Sequence, residues 1–307
     1  ALLQGGTAQD FRLSTSGVMG LSPESICALT ELRKIIAGWR ANGVRIGLVP
    51  TMGALHDGHL SLVKRAVSEC ERVIVTIFVN PKQFSPTEDL KNYPRDNRID
   101  LQKLATFDTV LVYIPNADQM YGPGFATRIE VDGLTDHLCG KSRPDFFGGV
   151  ATIVTKLLIQ TLPNRVYFGD KDFQQLLVIR RLASDLDIPV DIISCPVIRE
   201  PDGLALSSRN AYLSTADRAT APALYEIIQQ TAERVKAGEP CRAAEAWAKN
   251  ELIQRGFTKV DYVDIRNEET LDSLDKVKNE PSGARVFAAT YLGTTRLIDN
   301  VAATADD

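Results

Sequence analysis

No stretch of this chain approaches the roughly 18 consecutive apolar residues that a membrane-spanning helix needs. Its most apolar strand-like segment, Val73 to Val79, has seven. Basic residues are not in excess either: 35 Lys and Arg stand against 39 Asp and Glu, a formal net charge of −4. That balance argues against a nucleic-acid surface. The five cysteines, Cys27, Cys70, Cys139, Cys195 and Cys241, are odd in number and form no C-x-x-C pair. Neither a disulfide framework nor a zinc site is expected from them, and they read as small apolar residues of a reducing compartment. The first twenty residues lack a basic segment followed by an apolar core, so no secretory signal is expected and the cytoplasm is the expected location. There is no G-x-S-x-G to mark a nucleophile. Histidine is scarce, with three in 307 residues, and two of these fall three positions apart.

What is present has the patterning of an α/β protein. At roughly 100–200 residues per domain the length favours two domains. Helical spacing is expected over 23–43, from His59 to Cys70, over 96–106, over 145–162 and from Asp170 to Leu186. Between them lie short β-branched runs, Val44 to Val49, Arg72 to Val79, Thr109 to Ile114, Arg165 to Phe168 and Val190 to Ser194. Such alternation predicts a Rossmann-like parallel sheet with helices on both faces, whose ligands sit beyond the carboxyl ends of the strands. After Pro201 the pattern changes to two helices, 215–237 and 241–255, followed by strands from Lys259 to Asn267 and Ala284 to Asp299. We therefore expect a loose arm over 1–22, an α/β domain over 23–198, a smaller α+β domain over 199–307 and a frayed tail after Asp299.

Five segments carry residues suited to chemistry. In PTMGALHDGH, Pro50 to His59, a strand hands over to a helix start, whose free N–H groups attract phosphate; Gly53 and Gly58 permit close backbone approach. His56 and His59 share one helix face and suit hydrogen bonding to phosphate and to a leaving pyrophosphate; the competing reading is two solvated histidines. LSSRN, Leu206 to Asn210, offers two hydroxyls and a guanidinium for a triphosphate, or an ordinary turn. FGDKDFQQL places Lys171 and Gln175 at another strand-to-helix junction, with Asp172 as a possible helix cap. FVNPKQF presents Asn80 and Gln83 where a sheet ligand belongs, or a proline-stiffened polar loop. Arg143 in RPDFFGGV suits a carboxylate or phosphate, or is simply solvated.

In order and spacing these blocks resemble the pantothenate synthetase family of the HxGH nucleotidyltransferase superfamily, from about residue 26 to 300. The resemblance implies a Rossmann-like ATP domain and an ATP-dependent ligation of pantoate to β-alanine through a pantoyl-adenylate, with AMP and pyrophosphate released. It implies that Met52, Gly53, Ala54, Leu55, His56, Asp57, Gly58 and His59 form one ATP loop. Gly169, Asp170, Lys171 and Asp172 would form another, and Leu206, Ser207, Ser208 and Arg209 a mobile third, with Ile198 at the adenine. His59, His56, Lys171, Ser207, Ser208 and Arg209 would be catalytic, with His59 the proton donor. Gln83, Gln175, Asn80 and Arg143 would hold pantoate. Mg2+ would arrive on the ATP phosphates rather than on a protein site, and a homodimer is expected, with no nucleic-acid or membrane partner. The chain departs from the family pattern at Phe146, where a His is frequent, at Lys82 and at Leu206. Two rivals stay open: an adenylyltransferase acting on a phosphorylated acceptor, and a non-enzymatic nucleotide sensor.

Overall fold

The computed structural model describes residues 23–85, 90–91, 93–277 and 280–304; the expected arm over 1–22 and the last three residues lie outside these. In chain order the first part runs β1 (Glu24–Ile26), α1 (Leu29–Ala41), β2 (Ile46–Thr51), α2 (Asp57–Glu69), β3 (Arg72–Ile77), α3 (Asn97–Leu104), β4 (Val110–Tyr113), α4 (Ala117–Met120), α5 (Leu138–Ser142), α6 (Phe146–Thr161), β5 (Arg165–Gly169), α7 (Phe173–Asp185) and β6 (Asp191–Cys195). The six strands form one sheet in the order β1-β4-β3-β2-β5-β6, and every pairing is parallel.

Successive strand residues point to opposite faces, and both faces here are apolar. Ile46, Leu48, Ile74, Leu111, Tyr113, Val166 and Phe168 pack with buried residues of α1, α6 and α7. Val49, Val73, Val75, Val110, Val112 and Tyr167 pack with Leu62, Val63 and Ala66 of α2 and with Leu104 of α3. Burial on both faces accounts for the nearly unbroken apolar strands. The expected doubly covered parallel sheet is what the chain forms.

The remainder comprises α8 (Thr215–Thr220), α9 (Ala223–Lys236), α10 (Cys241–Gln254), β7 (Lys259–Asn267), β8 (Ala284–Leu292) and β9 (Thr295–Ala302). The last three strands make an antiparallel sheet, with α9 and α10 packed against it. This is the smaller α+β unit expected from the sequence. Among the described residues no helix is long and apolar enough to cross a membrane.

Four local expectations are corrected. The segment 23–43 opens with β1, a three-residue edge strand pairing with β4, too short to reveal a period of two. The helix expected over 215–237 breaks at Ala221–Pro222, since Pro222 has no N–H to continue it. Asp170 to Leu186 begins with a 3-10 turn, Asp170–Asp172, before α7. The chain does not fray at Asp299: β9 continues to Ala302 and Ala303 is buried.

Candidate active site

From β2 the chain adds β3 and then β4 to one side of the sheet, then returns to place β5 on the other side of β2. Strand order therefore reverses between β2 and β5, which opens a crevice beyond their carboxyl ends. A cavity of about 1130 Å³ lies there.

The first wall is the loop from β2 to α2. Thr51 Oγ1 donates to the Thr76 carbonyl at 2.7 Å and accepts from the Gly53 N–H at 3.1 Å. Gly53 has φ +79° and Ala54 φ +50°. A Cβ on Gly53 would also stand 2.9 Å from Asp100 Oδ2, so glycine is required there. The loop is gripped by Asp100 of α3, 2% exposed. Its two oxygens accept from Ala54 N–H at 2.9 Å and Leu55 N–H at 2.8 Å. Lys103, one turn on, donates to the Leu55 carbonyl.

The loop delivers two imidazoles at the start of α2. His56 is its N-cap, and His56 Nδ1 accepts from Gly58 N–H at 3.1 Å. His59 Nδ1 accepts from His56 N–H at 3.3 Å, closing a reciprocal cap. The rings lie 4.1 Å apart. Gly58 is needed beneath them, because a Cβ there would come 2.8 Å from the His56 ring. With both Nδ1 atoms accepting, the network assigns the ring proton of each neutral histidine to Nε2. Burial, then the positive charges of Lys171 and Lys103, lower the His56 pKa to about 4. Burial, then His56, Lys171 and Lys103, lower that of His59 to about 3. Both are neutral hydrogen-bond donors near pH 7.

The second wall leaves β3. Asn80 caps the 3-10 turn Pro81–Gln83. Asn80 Nδ2 donates to Gln83 Oε1 at 3.0 Å and to the Gly149 carbonyl at 3.1 Å, while Oδ1 accepts from Tyr121 OH at 2.7 Å and Lys82 N–H at 3.2 Å. Its carboxamide is fully used, so Asn80 braces Gln83 and has no group left for a ligand. Gly149 lets α6 press on this turn: a Cβ there would meet the Lys82 carbonyl at 2.1 Å. Arg143 Nη2 donates to the Gln83 carbonyl at 3.1 Å, and its guanidinium stacks 3.8 Å over the Phe146 ring. Phe146 is thus a shelf for Arg143.

The third wall follows β5. Lys171, Asp172 and Gln175 line the cavity. Asp172 makes no cap to α7, so that alternative is not realised. Ser194 Oγ donates to Asp170 Oδ1, which turns Asp170 away from the cavity. The fourth wall runs from Ile198 to Arg209. Ser207 accepts from Arg209 N–H at 3.3 Å, and Ser208 Oγ donates to the Ala54 carbonyl at 3.1 Å, docking this segment on the first loop. The Arg209 guanidinium lies 5.9 Å from the Tyr93 ring centroid.

Among the residues singled out from the sequence, His56, His59, Lys171 and Arg209 line this one cavity, as do Met52, Gly58, Asn80, Gln83, Arg143, Gly169, Ile198, Leu206, Ser207 and Ser208. Gly53, Ala54, Leu55, Asp57 and Asp170 do not line it; the first three shape the loop. The small sheet adds Tyr291, Thr295 and Arg296 to the cavity wall, with Arg296 Nε donating to Asp261 at 2.8 Å. Sequence reading missed these and Asp100. The one signal for Asp100 was a carboxylate four residues before Leu104, on what becomes the buried stripe of α3.

The chain resembles known proteins along most of its length. The family model described as pantoate-beta-alanine ligase matches residues 24–302. A pantothenate synthetase of Roseobacter denitrificans is 52% identical over 273 residues, 89% of this chain and 95% of the relative. One from Rhodospirillum rubrum is 49% identical over 274 residues, 89% and 96% of the two chains. The crystal structure of pantothenate synthetase from Thermus thermophilus superposes with a TM-score of 0.85 at 41% identity, over 92% of this chain and 99% of that one. That of the Francisella tularensis pantoate-beta-alanine ligase, complexed with beta-gamma ATP and beta-alanine, gives 0.77 at 37% identity, over 92% and 98%. With these matches and a shared fold, the chain belongs to the pantoate-β-alanine ligase family.

Proposed function

We propose that the protein uses ATP to join pantoate to β-alanine by way of a pantoyl-adenylate, releasing pyrophosphate and then AMP. The observation that carries this is the convergence of two neutral Nε2–H donors, Lys171 and the Ser207–Arg209 segment on one cavity, which extends past Gln83 and Gln175. Donors of that kind suit a triphosphate, and uncharged carboxamides suit the hydroxyls and carboxylate of a polyol acid. Residues 23–198 would hold the nucleotide and the acid, and residues 199–307 would cover them.

The difficulty in the reaction is that a carboxylate resists attack. A carboxylate oxygen of pantoate attacks the α-phosphorus, the bond from that phosphorus to the β-phosphate bridge breaks, and pyrophosphate departs. His56, His59, Lys171 and Arg209 meet the charge that collects on the leaving group, already oriented by backbone hydrogen bonds and by burial. The amine of β-alanine then attacks the acyl carbon, loses a proton, and the bond from that carbon to the AMP oxygen breaks. Alignment supplies the remainder of the rate, with Arg143 fixing the Gln83 backbone and Asn80 its side chain. Ser208 on the first loop keeps water from the anhydride.

Among the described residues no three His, Cys, Asp or Glu side chains converge as a metal site, and Asp172 lines the cavity beside Lys171. Mg2+ is commonly bound by one or two carboxylates together with substrate phosphates. This donor set therefore fits magnesium carried on the triphosphate, where it would supply charge neutralisation. Pyrophosphate release tests the reading: it should require ATP, magnesium and pantoate, and AMP should accumulate catalytically only once β-alanine is added. Turnover independent of pantoate would overturn it.

A further inference from the structure

Within the large sheet the turn that presents Lys171 is tied by one side-chain bond, from Ser194 of β6 to the Asp170 carboxylate, and the Asp172 side chain makes no cap to α7. The small sheet holds the backbone of the turn. Asn300 of β9, 3% exposed, donates from Nδ2 to the Asp170 carbonyl at 2.9 Å and to the Lys171 carbonyl at 3.0 Å. Its Oδ1 accepts from Arg285 Nη1 at 2.7 Å, which fixes the amide's orientation with the donor end toward the turn. The Arg285 guanidinium also lies 4.1 Å over the ring of Phe173, where the turn becomes α7. Both ends of the turn are thus clamped from β8 and β9.

The preceding residue does the same for the other cationic segment. Buried Asp299 accepts from Arg199 Nη1 and Nη2 at 2.6 and 2.9 Å, and from the Asn300 N–H at 2.8 Å. Arg199 bridges to Ala205, and Leu206 N–H donates to the Ile198 carbonyl at 3.0 Å, immediately before Ser207–Arg209. Adjacent residues of one strand hold the two segments whose charges face the cavity.

We propose that Asn300 is a positioning residue for the ligation: its paired hydrogen bonds to the Asp170 and Lys171 carbonyls fix where the Lys171 ammonium stands. Asp299 sets the Ser207–Arg209 segment in the same register. The proposal rests on the assignment of Lys171 to the departing pyrophosphate. A strand remote in sequence thereby tunes the charge stabilisation without touching substrate, and a displacement of about 1 Å at a reacting centre costs on the order of 10²-fold.

Asn300→Leu removes both donors, and the acceptor of Arg285, while keeping the branching and the number of side-chain heavy atoms. Asn300→Asp keeps the shape and the Arg285 contact but sets a carboxylate oxygen against two carbonyls. Each is measured for pyrophosphate release with Lys171 present and in the Lys171→Ala background, beside a thermal melt. We expect kcat to fall about 10–100-fold in both variants, with KM for pantoate within about twofold. In the Lys171→Ala background either substitution should cost less than about threefold more. The same loss in both backgrounds would mean that Asn300 acts on the fold and not through Lys171, and would overturn the proposal. So would an unchanged kcat in the folded variants, or failure of both to fold. A parental rate for Lys171→Ala alone would instead remove the Lys171 assignment, and with it this proposal.

Discussion

Asp100→Ala removes the one side chain that ties the β2–α2 loop to α3 through a pair of backbone N–H groups. It leaves the Ala54 and Leu55 N–H groups, now bonded at 2.9 and 2.8 Å, without their acceptor. A hydrogen bond to a charged group contributes about 1.5–3 kcal/mol, and a buried donor left unpaired costs about 1–3 kcal/mol. Water entering the vacated space recovers part of this, which puts the loss at about 2–5 kcal/mol. At roughly 2–4 °C per kcal/mol, the range for a unit about the size of the α/β domain that holds Asp100, the melting temperature should fall by about 4–20 °C. Activity should suffer more than stability at 25 °C. Ala54 holds φ +50°, a left-handed conformation a side chain keeps only while its surroundings dictate it. Once the loop relaxes, the start of α2 shifts, and both imidazoles with it. We expect kcat for pyrophosphate release to drop about 10–100-fold in protein that is still folded. Asp100→Asn keeps the volume and one acceptor, so its melting temperature should lie between those of Asp100→Ala and the parent. Asp100→Ala melting within a degree of the parent, or turning over at the parental rate, would refute the reasoning.

Three further outcomes follow from the site. His59→Ala should slow adenylate formation about 10²–10³-fold, the order observed when one preorganised donor to a transition state is lost; single-turnover pyrophosphate release checks it. Gln83→Ala should raise KM for pantoate about tenfold, the worth of one lost hydrogen bond, while KM for ATP stays put; an unchanged pantoate KM contradicts the assignment. Both histidines have folded-state pKa values below the ordinary 6.5, so the unfolded chain takes up protons first as pH drops. Their contribution to stability is therefore complete above about pH 6.5 and declines as pH falls to about 4 for His56 and about 3 for His59. Histidine NMR titration that found either imidazole protonating near 6.5 would contradict this.

The sequence disclosed what depends on residue type at a junction. Glycines and histidines at a strand-to-helix handover marked the 52–59 loop, because few residue types suit a left-handed turn that leads into a helix start. Lys171 and Gln83 were legible as polar groups in the segments that leave β5 and β3, and Arg209 from the Ser-Ser-Arg run after the expected domain boundary. Asp100 and Asn300 were not. Each acts by side-chain bonds to backbone across 45 and 130 residues of chain, a relation with no local spacing to read. Asn80 was read from its type, yet its carboxamide is spent on four protein partners, which only coordinates reveal. The edge strand Glu24–Ile26 escaped notice because three residues cannot display alternation, and the break at Pro222 lay inside an otherwise continuous apolar period.

In the proposed reaction pantoate's own carboxylate attacks the α-phosphorus. Pantoate labelled with 18O in that carboxylate, turned over with ATP, magnesium and β-alanine, tests it directly by mass spectrometry of the products. Each AMP should carry one labelled oxygen from the bond that breaks when the amide forms. Unlabelled AMP, or label in inorganic phosphate, would contradict the adenylate route.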